Sequence, residues 1–205
     1  MKMAVAQALQ KSYTYLEYRN IVSSLLNQGK STGQEQSEEL TNYSSLNNTR
    51  MKRLDKTIVV AEDVIKDILA LEKSYIWLVL SEGWCGDAAQ LLPIMNKMQM
   101  LSSQIDLQIV FRDENPKLMD LFLTNGSRSV PKLILIDKEN MSIVGHWGPR
   151  PKGATDLIVS YKAQYGIVDE TAKTELQLWY LHDKGFSTQR EIVQMMLDSE
   201  ALKGK

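Results

Sequence analysis

The chain has 205 residues with 43% apolar and 24% charged side chains, ordinary values for a water-exposed globular protein able to bury its own core. Its formal net charge of −1 and pI near 6.2 argue against a nucleic-acid or acidic-membrane partner recruited by bulk charge. A single cysteine excludes an intramolecular disulfide framework and fits a reducing compartment.

The N-terminal stretch MKMAVAQALQ holds only a four-residue apolar run, short of the roughly 7–15 residues of a secretory leader. The apolar run YIWLVL at 75–80 is far below the ~20 residues of a membrane helix. A cytoplasmic protein without a membrane span is expected.

Val5, Leu9, Tyr13, Leu16, Tyr18, Val22 and Leu25 recur every three or four residues, predicting one amphipathic helix that stops near Gly29. The polar stretch NQGKSTGQEQS, 27–37, reads as a linker, and 36–56 as a weakly periodic helix. The stripe Ala61, Val64, Ile65, Ile68, Leu69 predicts a helix over 61–73 with acids in its first turn.

A continuous apolar strand follows at 74–81, then a helix after Cys85 and a strand at 105–112. Next come a helix at 115–126 opened by Asn115-Pro116, and strands at 131–137 and 142–148 joined by the short turn DKEN. Pro151 opens a helix stopped by Gly166, and two further helices are expected at 169–184 and 188–203. The second carries Thr188 and Glu191 at capping-box spacing. The order β-α-β-α-β-β-α implies an α/β fold, a central mixed sheet flanked by helices.

That order, with Trp84-Cys85-Gly86 at the first strand-to-helix junction, resembles the thioredoxin fold. Pro93, eight residues after Cys85, stands where thioredoxins kink their active-site helix. GSRSVPKLILID is similar to the segment whose proline is cis, which makes Val130-Pro131 the expected cis bond. Gly145 stands where the family has its glycine in the last strand. WCGDAAQ, FRDEN, NGSRSVPK and WGPRP together resemble a bacterial thioredoxin-like branch with Trp-Cys-Gly-Asp. The resemblance covers 58–165, which divides the chain into an N-terminal helical extension (1–57), a thioredoxin-like domain and a C-terminal helical extension (166–205).

Dithiol exchange takes two cysteines three apart, one to attack a disulfide and one to resolve it. Here Ala88 holds the resolving position, so intrachain dithiol chemistry fails on stoichiometry. The buried aspartate that assists proton transfer in thioredoxins is replaced by Val79. Glu82 lies on a different register and does not inherit that role.

Cys85 remains at a helix start, where backbone N–H groups favour thiolate, while the Asp87 carboxylate opposes it. The balance predicts a pKa near the free value of about 8.5, with one edge of the sulfur exposed. The alternative is a buried core cysteine.

Two functions follow. In one, Cys85 is a single reactive thiol that forms mixed disulfides with a protein or a glutathione-like small thiol. Trp84, Gly86, Asp87, Val130 and Pro131 then form the binding groove. In the other, the fold is kept as a non-catalytic interaction module, and a homodimer is compatible with it. Arg112, Asp113 and Glu114 end a strand at the sheet edge where sites form, and Arg150 precedes a helix start where anions bind. No cofactor and no metal are expected, because His146 and His182 have no metal-pair spacing to Cys85.

Overall fold

The computed structural model describes residues 1–201. A four-stranded mixed sheet runs in the order β2-β1-β3-β4, with β1 Tyr75–Ser81, β2 Ile105–Phe111, β3 Lys132–Asp137 and β4 Ser142–Trp147. β1 pairs parallel to β2, Tyr75 opposite Ile105, and antiparallel to β3, Trp77 opposite Leu135. β4 turns back on β3 as the DKEN turn predicts, with a register shift between Leu135 and Ile136. Trp77, Leu78, Val79 and Leu80 are all fully buried although they alternate between faces. Both sides of the central strand are therefore covered, which is why its sequence is apolar without a period of two. These strands and their flanking helices form an α/β, thioredoxin-like fold with extra helices at both ends.

The helices are α1 Lys2–Leu9, α2 Tyr15–Asn27, α3 Glu38–Thr57, α4 Glu62–Leu69, α5 Gly86–Gln99, α6 Pro116–Met119, α7 Lys152–Tyr165, α8 Glu170–Asp183 and α9 Phe186–Ala201. α5 starts directly after β1 and carries Pro93 in its interior. α3 packs along α5, α9 packs against α4, α5 and β4, and α7 pairs with α8.

Four expectations need correction. The first helix is two helices. Thr14 ends the approach with a capping box, accepting from Glu17 N while Glu17 accepts from Thr14 N. Just before it, Tyr13 bridges to Ile109 and covers part of the β2 edge.

The polar linker turns inward. Ser31 and Thr32 are buried, Ser31 Oγ lying 2.6 Å from Ser44 Oγ and Thr32 Oγ1 bonding Glu82. α6 ends at Met119, because 120–127 tighten into turns closed by a Thr124–Ser127 bridge.

α9 begins at Phe186, two residues before its expected start, and residues 202–203 lie outside the described residues. Thr188 is thus inside the helix, and its Oγ1 has no hydrogen-bond partner among the described residues. Glu191 is used elsewhere, accepting from Trp147 Nε1 at 2.7 Å and from Lys152 N at 2.8 Å at the start of α7. Among the described residues, no helix is long and apolar enough to cross a membrane.

Candidate functional site

β1 delivers Ser81-Glu82-Gly83-Trp84 to the start of α5, and Cys85 is the residue that caps that helix. Its backbone is extended (φ −76°, ψ 114°), so Sγ faces back along the exposed amides and accepts from Ala88 N at 3.4 Å. The thiol donates to Val130 O at 3.2 Å. The Val130-Pro131 bond that follows is cis. Cys85 and the Val-Pro segment therefore meet.

The sulfur is less open than its helix-start position suggests. Cys85 keeps only 7% of its surface. Burial, and then the nearby Asp87 charge, push the thiol up to about 12, against the weaker pull of the α5 amides and Arg150. The sequence-based value near 8.5 weighed the helix dipole and Asp87 and left out desolvation, the largest of the three effects here.

Asp87 itself is buried at 8% exposure and held from two directions. Tyr180 Oη, from α8, donates to Oδ1 at 2.8 Å, and Arg150 Nη2, from the loop before α7, contacts Oδ2 at 2.7 Å. Trp84 is half-buried with the Arg112 guanidinium 4.8 Å from its ring centroid, a cation–π contact. Arg112 Nε in turn bonds Asp113 Oδ1 at 2.8 Å.

Glu82 is fully buried. Oε1 accepts from Asp113 N at 3.0 Å and Oε2 accepts from Thr32 Oγ1. Burial outweighs these bonds and lifts its carboxyl to about 7. Gly33 (φ +88°) closes this corner, since a Cβ there would lie 2.6 Å from Asp113 Oδ2.

A cavity of about 660 Å³ opens over the thiol. Trp84, Cys85, Gly86, Asp87 and Val130 line it, whereas Pro131 is buried behind Val130 and does not. Its roof comes from the terminal extensions: Tyr43, Leu46, Asn47 and Arg50 of α3, and Lys173, Thr174, Leu176 and Gln177 of α8. Arg112, Arg128 and Arg150 add cations to the lining, which also holds the acids Glu39 and Glu170. Most of these cations have an acid of their own: Arg112–Asp113, Arg128–Asp120, Arg150–Asp87 and Lys173–Glu170.

Arg50 does not. Among the described residues it makes no ion pair. Nη1 donates to Asn47 Oδ1 at 2.7 Å, and Asn47 is itself fixed by donating to Gly83 O at 3.1 Å. Burial and neighbouring Arg53 lower the Arg50 pKa, outweighing the opposing charge of Asp87, which Arg50 does not contact in an ion pair.

These roof residues are the part of the site that sequence reasoning missed. They lie on helices far from Cys85 in sequence, and an arginine on a weakly periodic helix reads as a solvated face. Glu114 and the two histidines do not reach the cavity. Among the described residues, no cluster of His, Cys, Asp or Glu could hold a metal ion.

Comparison with known proteins bears on the fold and the family. No curated protein matches the sequence. Two crystal structures share the fold along nearly their whole lengths. One is a protein of unknown function from Pseudomonas aeruginosa (TM-score 0.55, 15% identity, 91% of this chain and 99% of that one). The other is an HIV 4E10 epitope scaffold (TM-score 0.53, 17% identity, 91% and 98%). The family model Thioredoxin_9, described as Thioredoxin, matches residues 33–170 and so takes in α3 as well as the sheet. With more than half of its length accounted for in this way, the chain belongs to that thioredoxin family.

Proposed function

We propose that this protein is a thioredoxin-fold binding module for a small acidic molecule, and that Cys85 serves it as a neutral hydrogen-bonding thiol. The observation that carries the reading is the roof. α3 and α8 close over the position where a thioredoxin would meet the disulfide of a folded partner. The remaining volume of about 660 Å³ lies within the ordinary range for small-ligand sites. Arg50 offers a guanidinium without a carboxylate, and such groups bind carboxylates through paired, charge-assisted bonds. The thiol, held near a pKa of about 12, is almost wholly protonated at neutral pH and a poor nucleophile there.

A second reading is favoured by one contact, the cavity wall formed by Cys85 itself. In it Cys85 is a monothiol: Sγ attacks a glutathione disulfide, an Sγ–S bond forms, and the glutathione S–S bond breaks. The departing thiolate takes up the proton that Cys85 loses. A second glutathione thiol is then needed for reset.

S-methylglutathione separates the two, because it keeps both carboxylates and cannot form a disulfide. The binding-module reading expects calorimetric binding that persists in Cys85→Ala and is lost in Arg50→Met. It also expects no covalent adduct when the folded protein meets glutathione disulfide at pH 8. Rapid formation of such an adduct, with no binding of the S-methyl compound, would replace it by the monothiol reading.

A further inference from the structure

On the other side of Arg50 lies a second cavity, of about 820 Å³, between the C-terminal half of α3, the middle of α5 and the α8–α9 turn. Its walls are of a different kind. Leu54, Ile58, Ile94, Leu178, Leu181 and Phe186 make them largely apolar. Leu178 and Leu181 are about half exposed, so one wall of aliphatic surface stays open to water. Gly185 (φ +84°) forms the turn between α8 and α9, where an added Cβ would lie 2.6 Å from Ile94 Cδ1. The turn therefore sits hard against the cavity wall.

The charged groups in this wall all have one sign. Arg50, Arg53 and Lys184 line the cavity, and no aspartate or glutamate does. Among the described residues none of the three is in an ion pair, whereas most other arginines near the two cavities are. Arg50 and Arg53 are one helical turn apart on α3, and the charge of Arg53 lowers the pKa of Arg50. Two like charges have thus been brought together with no acid between them. An anion placed there would relieve both.

An apolar trough of ligand size with a cationic end and no carboxylate matches an amphipathic anion. We infer that this second cavity binds an organic carboxylate with a long apolar body, of the fatty-acid type. The head group meets Arg50 and Arg53, and the chain lies along Leu54, Ile94, Leu178 and Phe186. Charge complementarity selects this occupant over a neutral or cationic amphiphile, which would leave Arg50 and Arg53 without a counter-charge in the cavity wall. The second cavity shares Arg50 with the thiol cavity, so the variants that test the inference, at Arg53 and Leu178, are chosen from residues absent from the thiol cavity's lining.

The probe is dodecanoate, titrated calorimetrically into the full chain below its micelle concentration, with dodecanol and dodecyltrimethylammonium as controls. Dodecanoate should bind with one-to-one stoichiometry, at least about tenfold more tightly than either control, which is the difference a single charge-assisted contact supplies. Arg53→Met should weaken it by about tenfold, and Leu178→Asp should abolish it, since a charged carboxylate then replaces the apolar wall along which the chain lies. Both residues are exposed, so circular dichroism and melting temperature should be unchanged. Cys85→Ala should bind dodecanoate like the wild type. Equal binding of all three amphiphiles, no binding of dodecanoate, or unchanged affinity in Arg53→Met would each overturn the inference.

Discussion

The hydroxyl of Tyr180 donates to Asp87 Oδ1 at 2.8 Å, which ties helix α8 of the C-terminal extension to the first turn of the helix that Cys85 caps. The acid that follows the Trp-Cys-Gly sequence therefore does two things at once. It anchors the roof of the cavity, and its charge adds to the burial that holds the neighbouring thiol in the protonated state.

This coupling predicts opposite effects at its two ends. Asp87→Asn removes the like charge beside Cys85 and should speed alkylation of the thiol at pH 8. Arg150→Met removes the cation that offsets Asp87 and should slow it, while destabilising the fold by about 3–5 kcal/mol because a buried carboxylate loses its partner. Tyr180→Phe should cost about 1.5–3 kcal/mol, the usual loss for a bond to a charged group. Chemical denaturation and iodoacetamide kinetics read both quantities.

Glu82 supplies a pH signature. Its folded carboxyl is lifted to about 7 from a reference of 4.5, so the folded state favours the protonated form. The stability it contributes is complete below pH 4.5 and falls as pH rises through 7. Glu82→Gln should therefore lie progressively above the wild type in stability from pH 5 to pH 8, by at most about 3 kcal/mol at the upper end. Carbon-13 NMR of the side-chain carboxyl gives the midpoint directly. A midpoint near 4.5 would mean that the corner formed by Thr32 and Asp113 is wet.

Gly148 is the backbone position least able to accept a side chain. Its φ is +105°, and a Cβ would lie 2.4 Å from the carbonyl oxygen of Pro131. Neither atom can yield without moving the segment that faces Cys85. Gly148→Ala should destabilise the protein by at least about 2 kcal/mol, measured by urea unfolding. By contrast Gly126→Ala, with open space around it, should cost only the strain of its positive φ.

The alkaline side carries the thiol's own mark. Cys85 folded titrates near 12 against a reference of 9.0, so the stability tied to its proton is intact below pH 9 and is lost as pH climbs towards 12. Tyr15, Tyr18, Tyr75 and Tyr180 are raised as well and add to the loss above pH 10. Between pH 9 and 10 the comparison with Cys85→Ala isolates the cysteine, because both proteins share the tyrosines. There the wild type should lose about 1 kcal/mol more than Cys85→Ala per pH unit.

The legible part of this fold was the part governed by period and by local punctuation. The apolar run of β1, the Asn115-Pro116 start and the DKEN turn all read correctly because each is decided within a few residues. The long helix imagined over 5–29 failed for a local reason too. Thr14 and Glu17 form a capping box that cuts through an otherwise continuous apolar stripe.

The length of α6 and the interior position of Thr188 were not legible, since tertiary packing decides them. The site divides in the same way. Trp84, Cys85, Gly86, Asp87 and Val130 were named by the motifs that resemble a thioredoxin. Arg50, Tyr180 and Gln177 were not, because only the packing of α3 and α8 brings them to the thiol. Those same helices bury the sulfur, which is why its acidity was misjudged.

The most direct test of the account is the rate of iodoacetamide alkylation of Cys85 against pH, in the folded protein and in guanidinium. The enclosed neutral thiol predicts a folded rate at pH 8 on the order of a thousandfold below the unfolded one, still rising steadily at pH 10. A folded rate that equals or exceeds the unfolded one, with a midpoint below 7, would show an open thiolate under α3 and α8 and contradict the account.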